Sequence, residues 1–141
     1  QEVDTSAFSP ADLDKAENAL ISFYEWCKGK TIEPVVVETP LVSETHRFGG
    51  TPDIYGLVDG VPTLIDLKTG KGIYKEYFLQ VAAYRVLLEE HGHPVEQVRI
   101  IRIGREESEG FEERVVADTS AHWRAFHALL TYYYAMKEVG G

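Results

Sequence analysis

Asp53-Ile54-Tyr55-Gly56-Leu57-Val58-Asp59-Gly60-Val61-Pro62-Thr63-Leu64-Ile65-Asp66-Leu67-Lys68 is the stretch on which the fold turns. Asp59-Gly60 between two extended segments, Phe48 to Val58 and Pro62 to Thr69, is the strongest short-range signal for a β-hairpin with a two-residue loop. If those two residues form the loop, Val58 faces Val61, and stepping outward along both strands brings Asp53 opposite Asp66. Opposed side chains on one face of a sheet have Cβ atoms only about 4.5–5.5 Å apart, where two carboxylates repel each other. Lys68 lies two residues beyond Asp66, so strand alternation returns it to the same face.

Two explanations compete for this cluster. In one, Lys68 neutralises part of the charge at a solvated strand end and the acids are incidental. In the other, Asp53 and Asp66 hold a hard divalent cation, whose charge removes the repulsion and keeps both ionised. Mg²⁺ is the natural candidate: it keeps several waters, and a bound water has a lowered pKa and can attack phosphorus. The Leu67 carbonyl could complete the metal shell, and Lys68 would stabilise charge on the phosphate or help activate the water.

Outward from the hairpin, the pattern predicts a mixed sheet with helices. Ser9-Pro10 followed by Asp12 starts a helix running to about Lys28, with Leu13, Ala16, Leu20, Phe23 and Tyr24 at helical spacing and Gly29 placed to end it. A strand opens at Val35-Val36-Val37 and continues past Pro40 to Val42, and residues Ser43 to Arg47 turn the chain. After Gly70-Lys71-Gly72 a helix spans Tyr74 to Glu90, stopped by His91-Gly92-His93-Pro94. Gln97 to Ile103 reads as a strand, Glu106 to Gly110 as an acidic turn, Phe111 to Val116 as a strand and Ser120 to Val139 as an amphipathic helix. The order is α-β-β-β-α-β-β-α, and the helix between the third and fourth strands suits a crossover.

Composition narrows the function classes. The chain has 141 residues, 44% hydrophobic and 11% aromatic, which fits a single domain over 1–141 with an ordinary core. One cysteine, Cys27, excludes an internal disulfide framework and any four-cysteine zinc or iron–sulfur site within the chain, so metal chemistry would use oxygen or imidazole. Fourteen Lys and Arg against 23 Asp and Glu leave a net charge of −9, the opposite of a protein that coats nucleic acid. The acids, however, concentrate in the first helix, in Glu106 to Glu113 and near the C-terminus, whereas Arg47, Lys68, Lys71 and Lys75 gather around the mid-chain residues. No apolar run is long enough to span a membrane and the start carries no signal-peptide pattern, so a soluble intracellular protein is expected. The start at Gln1 without an initiator Met suggests a processed or cut piece.

Three motifs in order carry a family resemblance. Gly50-Thr51-Pro52-Asp53, Asp66-Leu67-Lys68, and Gln80 with Tyr84 are similar to the G-x-x-D, D-x-K and Q-x-x-x-Y motifs of RecB-type nucleases in the PD-(D/E)xK superfamily, which includes lambda exonuclease. The resemblance spans roughly Glu38 to Glu90. It implies an α/β (α+β) fold with a restriction-endonuclease-like core, α-β-β-β-α-β, its mixed central sheet flanked by helices. It implies Asp53 and Asp66 as metal ligands with the Leu67 carbonyl, Lys68 as the catalytic amine, and Glu38 as the acid such nucleases carry on the preceding strand. Gln80 and Tyr84, four apart on one helix face, would look toward the site and the nucleic-acid backbone. The implied activity is a Mg²⁺- or Mn²⁺-dependent deoxyribonuclease, an exonuclease in phage or bacterial replication, recombination or repair. Its place would be the cytoplasm of the bacterial cell or infected host, with DNA as substrate and protein partners in a recombination or repair complex. The alternative is a catalytically silent module that keeps the fold.

One departure stands out. RecB-type members commonly carry a His or Glu on a helix ahead of the first strand, but no His precedes His46. Glu17 or Glu25 could substitute, or the residue lies upstream of Gln1. The remaining conspicuous groups have blander expectations. His91 with His93, and His122 with His127, lack good metal spacing and read as structural, while His46 and Arg47 read as a solvated turn, with contact to phosphate the alternative. Tyr132, Tyr133 and Tyr134 could stack bases, although consecutive helical positions point apart. Trp26 and Trp123 are expected in the core and Cys27 as an inert buried thiol.

Overall fold

The computed structural model describes residues 23–104 and 110–140. Residues 23–27 are helical (α1). They are followed by β1 (Ile32–Val37), β2 (Leu41–Ser43), β3 (Phe48–Gly50), β4 (Ile54–Val58), β5 (Val61–Thr69), α2 (Lys75–Glu90), β6 (Gln97–Ile103), β7 (Phe111–Val116) and α3 (Ser120–Glu138). Most of the expected N-terminal helix, Glu17 included, and most of the acidic turn after Gly104 lie outside the described residues.

The hairpin forms as its turn chemistry demands. Asp59 and Gly60 have φ of 50° and 83°, the paired positive angles of a two-residue turn whose twist matches the flanking strands. Pairing runs from Val58↔Val61 to Ile54↔Ile65, the register read from the sequence. Asp59 also secures the neighbouring strand: its N–H donates to the Thr31 carbonyl at 2.8 Å, and its Oδ1 accepts the Thr31 N–H at 2.8 Å.

Five strands make one sheet in the order β1-β4-β5-β6-β7. β1 is antiparallel to β4 and forms one edge; its ladder shifts between Pro34 and Val36, at the residue that has no N–H to donate. β5 and β6 run parallel, joined through α2, and β7 closes the other edge antiparallel to β6. The sheet is therefore mixed and flanked by helices, as expected.

Two expected strands divide. The extended run from Val35 to Val42 breaks at Glu38, whose φ is 45°, just before Pro40. The run from Phe48 to Val58 breaks at the buried Pro52. Neither proline can donate to a ladder, so each marks a change of pairing partner. The freed pieces β2 and β3 pair with each other as a separate two-stranded ribbon, Leu41↔Gly50 to Ser43↔Phe48, tied to the end of α2 where the Ser43 hydroxyl donates to Glu90 at 3.2 Å.

Strand alternation sorts the core into two layers. Tyr55, Leu64, Val98 and Ile100 meet Val81 and Leu88 of α2 on one face. Val58, Ile65, Ile101 and Ile103 meet Trp26 of α1 on the other, with Cys27 at the margin. Cys27 is half-buried, not fully buried as expected; its partial burial raises the thiol pKa above the ordinary value, with Lys30 partly opposing. Because Leu64 points toward α2, Asp66 does too. α3 lies outside α2: Trp123 meets Phe48 of the ribbon at a tilt and Phe126 meets it edge-on, while His122 stacks on Phe78. Trp123 is thus half-buried at an interface between elements, whereas Trp26 is in the core as expected. Among the described residues no helix is long and apolar enough to cross a membrane.

Candidate functional site

Where β4 begins and β5 continues past it, the sheet leaves a notch under α2. Asp53 sits at its lip, its carbonyl accepting the Glu38 N–H at 2.8 Å and its Oδ2 accepting the Leu67 N–H at 2.8 Å. The paired ladder ends at Ile54↔Ile65; continuing it one step puts Asp53 beside Asp66 on the α2 face, and the Asp66 carboxyl feels the Asp53 charge. The two acids therefore share one surface of the sheet.

Asp66 is 1% exposed. The Lys68 ammonium lies 3.3 Å from its Oδ2, an ion-pair contact, yet that oxygen has no aligned hydrogen-bond donor. Burial pushes the Asp66 carboxyl up to about 7; Lys68 pulls it back, and Asp53 adds to the rise. A carboxylate stripped of water and only partly compensated is costly in a domain selected for stability alone.

Lys68 is held from the helix side. Its amine donates to Gln80 Oε1 and lies 4.9 Å from the centre of the Tyr77 ring. Gln80 Nε2 in turn donates to the Tyr84 hydroxyl at 2.9 Å. Spacings of three and four along α2 put Tyr77, Gln80 and Tyr84 on one face, aimed at β5. Burial is the chief cause raising the Tyr84 pKa, and Asp66 and Asp53 add to it. The Tyr84 ring also explains Gly50, the first residue of the G-x-x-D motif: a Cβ there would come within 2.6 Å of the ring and 3.3 Å of Leu87.

On the far side of Lys68, Arg102 of β6 pairs in register with it. Arg102 is buried; it donates to the Gly70 carbonyl at 3.1 Å and lies 3.4 Å from Glu112 of β7, fixing where β5 leaves the sheet. Arg102 and Tyr77 were not singled out from the sequence. Tyr77 has a local signal, its spacing to Gln80 and Tyr84; Arg102 has none, because its Gly70 contact reaches back to the end of β5 and its Glu112 contact depends on the β6–β7 register.

The structure brings Asp53, Asp66, Leu67, Lys68, Gln80 and Tyr84 together. Glu38 joins through its backbone, while its side chain is exposed. Glu25 is exposed and paired with Lys28 at 2.8 Å. Arg47 lies with its guanidinium carbon 4.1 Å from the centre of the Tyr134 ring, and the Tyr134 hydroxyl donates to the Arg47 carbonyl. His46 is enclosed by Trp123 and His127, 3.8 Å from Glu90. Tyr132 and Tyr133 are exposed on α3.

Among the described residues no group of three or more His, Cys, Asp or Glu side chains converges. The protein side of a cation site here is two carboxylates and backbone oxygen. Those donors suit a hard cation, and the buried Asp66 Oδ2 without a hydrogen bond is the kind of atom such an ion would satisfy. Since the N–H and C=O of one extended residue point to the same side of a strand, the Leu67 carbonyl shares the side of Asp53.

No protein-family model and no curated protein matches the chain. Among solved structures, SSO0001 aligns at 15% identity and a TM-score of 0.47, covering 91% of this chain and 61% of that one. A provisionally named exonuclease from Eubacterium rectale aligns at 14% identity and a TM-score of 0.52, covering 85% of this chain and 50% of that one. The chain thus spans about half the length of that structure. What the likeness establishes is the architecture: a restriction-endonuclease-like fold, with a five-stranded mixed sheet flanked by helices, shared with that provisionally named exonuclease.

Proposed function

We propose that the chain is a metal-dependent nuclease domain of the RecB type within the PD-(D/E)xK superfamily, hydrolysing phosphodiester bonds in DNA. The observation that carries this reading is the opposed pair Asp53 and Asp66 with the Lys68 amine 3.3 Å from the second acid. A divalent cation, Mg²⁺ or Mn²⁺, held by Asp53, Asp66 and the Leu67 carbonyl would polarise the phosphate and lower the pKa of the attacking water. Lys68 presents a fixed positive charge where negative charge grows on the phosphate. Gln80 directs that amine. By accepting from Gln80 Nε2, the Tyr84 hydroxyl fixes the amide so that its oxygen faces Lys68. Arg102 holds the end of the strand that carries the amine.

The net charge of −9 makes affinity local to this notch, with Lys71 exposed in the loop that follows β5, and salt should weaken binding. Exonucleolytic action in phage or bacterial replication, recombination or repair, alongside protein partners, is the setting the motif resemblance suggests. A second reading, a silent binding module, draws on the two-acid count among the described residues. One experiment separates the readings: labelled DNA, RNA and mononucleotides incubated with Mg²⁺ or Mn²⁺, with and without chelator. Cleavage of DNA that stops in chelator is the expected result. Binding of DNA without cleavage favours the silent module, and chelator-resistant cleavage contradicts the metal-dependent mechanism.

A further inference from the structure

The outer face of α3 has no cover among the described residues. The helix meets the rest of the domain along one side, where Trp123 and Phe126 reach Phe48 and Tyr134 holds Arg47. No residue of α3 is fully buried. Yet the opposite side is apolar, with Leu129 60%, Tyr132 55%, Met136 44% and Val139 76% exposed. Its pattern is regular. Ala121, Ala125, Ala128, Tyr132, Ala135 and Val139, all exposed, follow one another at alternating steps of four and three, the heptad spacing that makes a seam between two helices. Charge is scarce there: in a chain with 23 Asp and Glu, Glu138 is the one acid between Ser120 and Val139. Arg124 and Glu138 flank the same edge of the seam, each standing one residue before a seam position, Ala125 and Val139.

Reversed, this seam matches itself. In an antiparallel pair of copies, Ala121 faces the partner's Val139, Ala125 the partner's Ala135, and Ala128 the partner's Tyr132, so each large residue meets an alanine. Parallel pairing would instead stack Tyr132 on Tyr132 and leave the alanine layers hollow. The reversed register also settles the charges. Arg124 and Glu138 share one edge of the seam near opposite ends of the helix, so each Arg124 lies next to the partner's Glu138, twice by symmetry. We infer that α3 is a self-association surface, pairing antiparallel with α3 of a second copy of this chain in a two-fold dimer. The pairing does not draw on the notch, so it stands apart from the nuclease reading.

A single helix pair is at the small end of specific interfaces, so the chain should be dimeric at ~100 μM and dissociate on dilution, as read by sedimentation equilibrium. Arg124→Glu and Glu138→Arg should each raise the dimer Kd by about tenfold, because symmetry turns two attractions into two repulsions. Combining them should return Kd to within about threefold of wild type. Both substitutions suit the helix dipole, an acid near its N-terminus and a base near its C-terminus, so the fold is kept. General repulsion between acidic chains predicts a different pattern. Arg124→Glu adds negative charge and Glu138→Arg removes it, so on that ground alone the two would move Kd in opposite directions. A wild type that is monomeric at that concentration leaves the face to another occupant and overturns the pairing. So does a dimer whose Kd either single substitution fails to raise, or a double variant that pairs no more tightly than the singles.

Discussion

Asp66→Asn is expected to make the metal-free protein more stable at neutral pH while ending its activity on DNA. The Asp66 carboxyl, 1% exposed, is shifted from 3.8 to about 7, chiefly by burial. Its folded pKa is raised, so the folded state holds the proton more tightly than the unfolded chain. The contribution to stability is full below about pH 4 and is lost as pH rises toward 7, after which the penalty is constant. At ~1.4 kcal/mol per tenfold change in proton affinity, the penalty for keeping the charge amounts to a few kcal/mol. Asparagine has the same shape without the charge, and its oxygen can still face the Lys68 ammonium. A gain of about 1–3 kcal/mol should therefore appear in chelator at pH 8, read as a melting temperature higher by roughly 3–10 °C. The gap should shrink near pH 4, where the wild-type acid is protonated. An Asn variant less stable than wild type in chelator at pH 8 would mean that the acid is well compensated without a metal.

Lys68→Ala should reduce DNA cleavage by about 10³-fold, the scale on which a preorganised charge-stabilising group acts. Removing one partner of a buried ion pair usually costs ~3–5 kcal/mol because a charge is stranded. Here the cost should be smaller, about 1–2 kcal/mol, since an acid already near 7 escapes by taking up a proton. Metal affinity separates this role from that of the acids. Lys68 repels a cation at the notch but also holds down the Asp66 pKa, two effects that oppose each other, so Lys68→Ala should still bind Mn²⁺ at pH 8 while failing to cleave. Cleavage within about tenfold of wild type would remove Lys68 from the mechanism.

The hairpin was legible because everything that sets it is local. Asp59-Gly60 dictates the turn, the turn dictates the register, and the register puts Asp53 against Asp66. Gln80 and Tyr84 were legible for a similar reason, since helical spacing alone places them on one face. What escaped depends on contacts between distant segments. Nothing near Val37 announces that β1 pairs with β4, or that β2 and β3 leave the main sheet as a ribbon; both follow from where Pro40 and Pro52 interrupt pairing. Arg102 looks like an ordinary polar residue in an isoleucine-rich strand until β7 brings Glu112 beside it. Arg47 reads as a solvated turn residue, and its stacking on Tyr134, 87 residues away, depends on how α3 folds back.

The central claim is that Asp53 and Asp66 together grip one divalent cation. Calorimetric titration of Mn²⁺ into wild type and Asp53→Asn at pH 8 tests it without reference to any substrate. One site in wild type, weakened at least tenfold in the variant, is the predicted result, in line with the loss of one of two carboxylate ligands. Identical heats from the two proteins, or no binding to wild type, would contradict it.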